Sequence, residues 1–237
     1  MTGYWLLITG YIVLRPRPPY FHTTTLPHYH TTSRPPELPT PRTPYLCPMK
    51  KKLAILASGG GSNAANIMRH FENSSDVEIV LLACNKPGAG AFDVAAKWNV
   101  PSMAIDKSNF RESDSFLNTL KDLHVDFIIL AGFLWKVPEN LVKAFDGKII
   151  NIHPALLPKY GGKGMYGHFV HEAVFAAKEK ESGITIHWVN EHYDEGGIIF
   201  QAKAEIAETD GPHEIEMKVR ALEMEYFPSI IEQAIGL

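Results

Sequence analysis

Cysteine is scarce in this chain, positive charge is in deficit, and long apolar runs are missing. Only Cys47 and Cys84 stand among 237 residues, one in a proline-rich stretch and the other in an apolar run. A disulfide framework is therefore not expected, and a reducing, cytoplasmic compartment is. Lys and Arg number 23 against 26 Asp and Glu, a net charge of −3, which argues against a general nucleic-acid binder. The apolar stretch Tyr4 to Leu14 has 11 residues, whereas a bilayer span needs about 20, so no membrane association is expected. No Cys-x-x-Cys or His-Glu-x-x-His spacing is present. Although His168, His171, His187 and His192 raise the thought of zinc, no metal site is expected. No Gly-x-Ser-x-Gly elbow appears, and Cys84 has no identifiable partner, which sets aside a serine or cysteine nucleophile.

Hydrophobic residues make up 45% of the chain, enough for a sizeable core. They are not spread evenly. Residues 1–48 hold ten of the 17 prolines, four arginines, one glutamate and no lysine. From Met49 onward 19 basic and 25 acidic residues remain, a net of −6. The first 48 residues read as a disordered or polyproline-like extension, or as an over-extended start before Met49. A targeting role is the alternative. A signal peptide is a poor match, because no basic residue precedes Tyr4–Leu14 and Arg15-Pro16-Arg17-Pro18-Pro19 follows it. His22, His28 and His30 read as part of a solvated, biased tail.

From Met49 the chain alternates strand-like and helix-like segments. Strands are expected at Leu53–Ser58, Val77–Cys84, Pro101–Ile105, Val125–Ala131 and Lys148–Ile152. Helices are expected at Asn63–Phe71, Ala89–Trp98, Arg111–Leu123 and Leu141–Phe145. This rhythm predicts βαβ units and an α/β fold whose parallel sheet is covered on both faces. After Pro154 the rhythm changes. A glycine-rich loop leads to a helix at Val170–Lys178, then strands at Gly183–Val189 and Gly197–Ala207. A last helix is expected to open with Asp210 as cap and Pro212 in its first turn. Its Ile215, Val219, Leu222 and Tyr226 form one stripe.

Three motifs stand out. Ser58-Gly59-Gly60-Gly61-Ser62-Asn63 joins a strand to a helix. Glycines allow close backbone approach, and a helix N-terminus offers free N–H groups to an anion, so a phosphate is the natural guest. The plain alternative is a tight turn capped by Ser62 or Asn63. The loop is neither Gly-x-Gly-x-x-Gly nor a P-loop. Asn151-Ile152-His153-Pro154 ends a strand, where ligands of open α/β sheets bind. Alternation puts Asn151 and His153 on one side. An Asn can donate to an oxyanion, and a His can act as acid or base. His192-Tyr193-Asp194-Glu195-Gly196-Gly197 presents a carboxylate on a sharp loop, which serves equally as a plain polar turn or as a partner for His153. The aromatics of Leu130-Ala131-Gly132-Phe133-Leu134-Trp135 could line a pocket or fill the core.

Together with Ala155-Leu156-Leu157-Pro158, these segments resemble the phosphoribosylglycinamide formyltransferase family, in order and separation, from about Lys52 to the C-terminus. The resemblance implies an open, mostly parallel twisted sheet of Rossmann-like type. It implies transfer of the formyl group of 10-formyltetrahydrofolate, as cosubstrate, to the amine of glycinamide ribonucleotide, without a metal. Asn151, His153 and Asp194 would be the catalytic trio. Gly61, Ser62, Asn63 and Glu223 would hold the ribonucleotide. Arg111, Leu134, Trp135, Lys136, Val137, Asn151, Asn190, Glu191, His192, Tyr193 and Asp194 would hold the folate. The implied partners are these small molecules only, with no nucleic acid and no membrane, in a monomer or homodimer.

The chain departs from the family pattern between Tyr160 and Val174. There Gly161-Gly162-Lys163-Gly164-Met165-Tyr166-Gly167-His168-Phe169-Val170-His171 replaces a shorter loop with Pro-Gly after Lys-Tyr. Tyr193 and Glu195 also differ from the commoner choices. Among rivals, formyltetrahydrofolate deformylase carries a folded domain ahead of the trio, for which residues 1–48 are too short and proline-rich. Methionyl-tRNA formyltransferase carries a further C-terminal domain and a basic surface, whereas this sequence is acidic and runs to Leu237 after one helix. A non-catalytic nucleotide-binding module would lack one or more of the trio.

Overall fold

The computed structural model describes residues 50–237. The expectations for residues 1–48, including those for Cys47 and the three N-terminal histidines, lie outside the described residues, as does the start at Met49.

The sheet-forming runs are the apolar ones. β1 (Lys51–Ala57) and β2 (Val77–Cys84) are buried along most of their length, as befits strands covered on both faces. They pair in parallel with each other, β2 with β3 (Ser102–Ala104), β1 with β4 (Phe127–Leu130), and β4 with β5 (Ile149–His153). β6 (Glu181–Trp188) and β7 (Ile198–Glu205) then extend the sheet in antiparallel fashion. The order is β3-β2-β1-β4-β5-β6-β7. The fold is thus α/β with a mostly parallel sheet. Its winding reverses between β1 and β4, which opens a crevice beyond their carboxyl ends.

Side-chain alternation along β1 divides the core. Leu53, Ile55 and Ala57 face one layer, with α1 (Ser62–Phe71), α2 (Ala91–Lys97), α6 (His168–Ala176) and α7 (Pro212–Ala234). Ala54 and Leu56 face the other, with α3 (Lys107–Arg111), α4 (Ser115–Asp122) and α5 (Glu139–Ala144). This period of two is the ordinary consequence of the strand pleat.

Two expectations need correction. The helix expected over Arg111–Leu123 starts later, as α4 at Ser115, and Arg111 is instead the last residue of α3, a separate helix that the sequence pattern does not predict. The last helix is capped by Gly211, whose N–H donates to Glu214 Oε2 at 2.9 Å. Asp210 instead accepts from the N–H of Ala207 and from Lys218 Nζ. Its carboxyl is committed to those donors, so it is not available to cap α7.

Candidate active site

The loop after β1 is held in a single shape. The Ser58 N–H donates to Gly132 O at 3.1 Å, and Ser58 Oγ accepts from the Leu134 N–H at 2.9 Å. These two bonds bind it to the loop after β4, across the point where the winding reverses. Gly61 caps α1 with φ +79, and a Cβ there would lie 2.8 Å from Ala91 Cα. Only glycine fits that position. Thus the cap is Gly61 rather than Ser62 or Asn63. No side chain caps α1 and no acidic residue sits in its first turn, so its N–H groups stay available to an anion. Arg220 Nη2, from α7, donates to Ser62 Oγ at 3.3 Å.

Asn63 is buried, and its Nδ2 donates to Glu223 Oε2 at 2.9 Å. Its Oδ1 has no partner among the described residues. Burial raises the Glu223 carboxyl above the usual carboxylate range, against the opposing pull of the Asn63 amide.

The sheet assembles the second cluster. Asn151 and His153 alternate onto one face of β5, and the antiparallel register sets His187 opposite Asn151. His187 Nδ1 lies 2.8 Å from Trp188 O. A carbonyl only accepts, so Nδ1 carries the proton, and in the neutral ring the bare Nε2 accepts from Asn151 Nδ2 at 3.1 Å. One amide hydrogen of Asn151 is thereby used and the other is left for a ligand. By the same logic His153 Nε2 donates to Tyr160 O at 2.7 Å. Its Nδ1 then points at the Asp194 carboxylate, 3.7 Å from Oδ2. Asp194 Oδ1 is also 3.7 Å from His187 Nε2. Burial lowers the pKa of both histidines, while Asp194 and a backbone carbonyl pull each upward.

Asp194 sits in a left-handed conformation, φ +54, and its Oδ2 accepts from the Gly162 N–H at 2.9 Å. A side chain on Gly161 would meet Leu157 Cδ2 at 2.5 Å, and one on Gly196 would meet Trp188 O at 1.7 Å. These glycines let the two loops close on the carboxylate. At 3.7 Å Asp194 is just beyond direct hydrogen-bond range of His153, so it stabilises the imidazolium chiefly through charge.

The polar side chains of both clusters, Ser62, Asn63, Arg220 and Glu223 on one side and Asn151, His153, His187 and Asp194 on the other, border one cavity of about 600 Å³. Of the residues singled out in the sequence, Ser62, Asn63, Leu134, Trp135, Lys136, Val137, Asn151, His153, Asn190, His192, Tyr193, Asp194 and Glu223 line it. Gly61, Arg111 and Glu191 do not. Gly61 acts as the cap just described, and the Arg111 guanidinium lies over the Trp135 ring at 5.4 Å from its centroid. Trp135 is both wall and packing, since it also meets Phe110 and Phe133 at 5.8 and 6.2 Å between ring centroids. The lining residues His171, His187, Glu216 and Arg220 were not anticipated as site residues. In the sequence the two histidines suggest nothing beyond metal ligation. Among the described residues no group of three or more His, Cys, Asp or Glu is arranged to hold a metal ion, and no helix is long and apolar enough to cross a membrane.

A phosphoribosylglycinamide formyltransferase of Bacillus subtilis is 38% identical over 192 residues, covering 79% of this chain and 96% of that protein. The chloroplastic phosphoribosylglycinamide formyltransferase of Arabidopsis thaliana is 39% identical over 190 residues, covering 78% of this chain. The chain spans 65% of that relative's length, and 60% of its counterpart in Vigna unguiculata. The crystal structure of glycinamide ribonucleotide transformylase 1 from Geobacillus kaustophilus superposes with a TM-score of 0.72 at 31% identity, covering 79% of this chain and all of that one. Residues 51–231 match the formyl transferase family. With that match over most of its length, and with its sheet and loops arranged as described, the chain belongs to the formyl transferase family.

Proposed function

We propose that this protein transfers the formyl group of 10-formyltetrahydrofolate to the amine of glycinamide ribonucleotide, a step of purine synthesis. The observation that carries the reading is a single cavity with two chemically different ends. One end has the N-terminus of α1, which no side chain caps, with Arg220 beside it, suited to a phosphate. The other has Asn151, His153 and Asp194 at the carboxyl end of β5. The loops 134–137 and 190–194 form a further wall with Trp135 and Tyr193, suited to a flat pterin. The family relatives carry this activity in their names.

In this reading the amine attacks the formyl carbon, and the carbonyl electron pair moves to oxygen. The free amide hydrogen of Asn151 and the positive charge of protonated His153 stabilise that oxyanion. Asp194 holds the imidazolium by its charge. Collapse of the intermediate breaks the bond to the folate nitrogen, which takes up a proton as the amine nitrogen gives one up. No covalent enzyme intermediate is needed.

The assay is formyl transfer with and without the ribonucleotide. Transfer that requires the ribonucleotide is expected. Formate release at an equal rate without it would instead mark a deformylase. His153→Ala is expected to lower kcat on the order of 10²–10⁴-fold.

A further inference from the structure

The buried side-chain polar atoms that find no partner are few. Among the described residues they are Asn63 Oδ1, His171 Nδ1 and Ser182 Oγ. The first two belong to residues that line the large cavity, whereas Ser182 lines a separate cleft of about 260 Å³. Proteins rarely bury a polar atom without a partner, because its hydration is lost and nothing replaces it. Where such an atom belongs to a residue that lines a cavity, a bound ligand can supply the missing partner once the side chain turns toward it.

His171 is the more telling of the two. It lies on α6 between Val170 and Val174, the other buried residues of that helix. It is only 4% exposed. An apolar side chain would pack as well there without leaving a nitrogen unsatisfied. Burial lowers the His171 pKa, with Glu216 pulling it upward and His153 and His168 pushing it further down. A neutral imidazole offers one donor and one acceptor. Asn63 Oδ1 adds an acceptor, and Glu223 is already tied to Asn63 Nδ2. A ligand that satisfies such a wall must carry groups that both donate and accept, and hydroxyls do.

We propose that His171 reads a sugar hydroxyl, so that the cavity selects a ribose phosphate over its deoxy counterpart. This rests on the ribonucleotide reading above and adds a residue to it. His171 opens onto the cavity from the helix that follows the glycine-rich loop 161–167.

The test is calorimetric binding of ribose 5-phosphate, 2-deoxyribose 5-phosphate and 3-deoxyribose 5-phosphate to the full chain and to His171→Leu and His171→Asn. For ribose 5-phosphate, His171→Leu is expected to weaken binding about 5- to 10-fold, the worth of one hydrogen bond. For one of the two deoxy sugars the same substitution is expected to change nothing, and His171→Asn should recover part of the loss. Thermal melting of His171→Leu should match or exceed that of the parent, since an unsatisfied nitrogen has been removed. Equal affinity of parent and variant for ribose 5-phosphate would overturn the proposal. So would an equal loss for all three sugars, which indicates packing alone, or no binding of ribose 5-phosphate by the parent protein. Formyl transfer to the ribonucleotide is scored separately. Its failure alongside hydroxyl-dependent binding would remove the activity and leave the sugar contact standing.

Discussion

The histidine of the proposed trio is held by a backbone carbonyl on one side and by charge on the other. Tyr160 O fixes its Nε2–H, and the Asp194 carboxylate faces Nδ1 at 3.7 Å. Burial depresses the His153 pKa and Asp194 opposes that depression. Replacing Asp194 by Asn removes the opposition, so the pKa falls further. A rate that needs the imidazolium then declines at a lower pH than in the parent. Asp194→Asn is therefore expected to lower kcat at neutral pH, on the order of 10²-fold or more, with partial recovery as the pH is lowered. A pH profile of kcat that keeps its parental midpoint would refute this role. His187 lies one step further back and holds the Asn151 amide through a 3.1 Å bond. His187→Leu frees that amide to rotate. We expect kcat to fall about 10- to 100-fold while both KM values stay nearly unchanged, as for a misplaced catalytic group. Neither the 151–187 pair nor the Tyr160 contact was legible in the sequence. Asn151 and His153 are two residues apart on one strand, a local fact, whereas His187 is 36 positions away and becomes a neighbour only through strand pairing.

At the scale of elements, the proposed phosphate end depends on how α1 begins. Gly61 carries φ +79 and sits against Ala91. Gly61→Ala is expected to cost about 1–3 kcal/mol in a urea melt from backbone strain. It should also weaken ribonucleotide binding by displacing the first turn. Arg220→Gln leaves that turn intact and removes one positive charge beside it. A rise in KM for the ribonucleotide, steeper at low salt, with the folate KM unmoved, is the expected result. The strands were legible because buried strands are short, β-branched apolar runs, and β2 falls on the residues anticipated for it. Helix ends were less so. The amphipathic pattern runs from Arg111 through Leu123 without a visible stop, yet Asp114 spends its side chain on Asn140 Nδ2 at 2.7 Å rather than on a cap. A similar diversion removes Asp210 from the start of α7. A capping residue can be named from sequence, but its competing partners are distant and cannot.

For the whole molecule, the buried histidines set a pH dependence of stability. His153, His171 and His187 all have pKa values lowered from 6.5, with burial as the first cause. As pH falls through 6.5 the unfolded chain takes up protons that the native state refuses, so stability declines. Above 6.5 both states hold these rings neutral and the contribution is flat. Thermal melts from pH 7.5 to 5 are expected to show Tm falling below about 6.5, less steeply in His171→Leu. A Tm insensitive to pH in that window would contradict the burial of these rings as neutral groups. The Asn151–Pro154 strand end, the glycine loop before α1 and the α/β alternation follow from local physics: period-two burial, left-handed glycine, and a rigid proline after a polar pair. They were determined by the sequence alone. Strand direction was not. That β6 runs antiparallel beside β5, setting His187 against Asn151, was decided only by the tertiary structure. So was the closure of two glycine loops that brings Asp194 within 3.7 Å of both His153 and His187. Pairing and loop closure draw their energy from the assembled sheet and core, and no short window of sequence contains Asn151 or His153 together with His187 or Asp194.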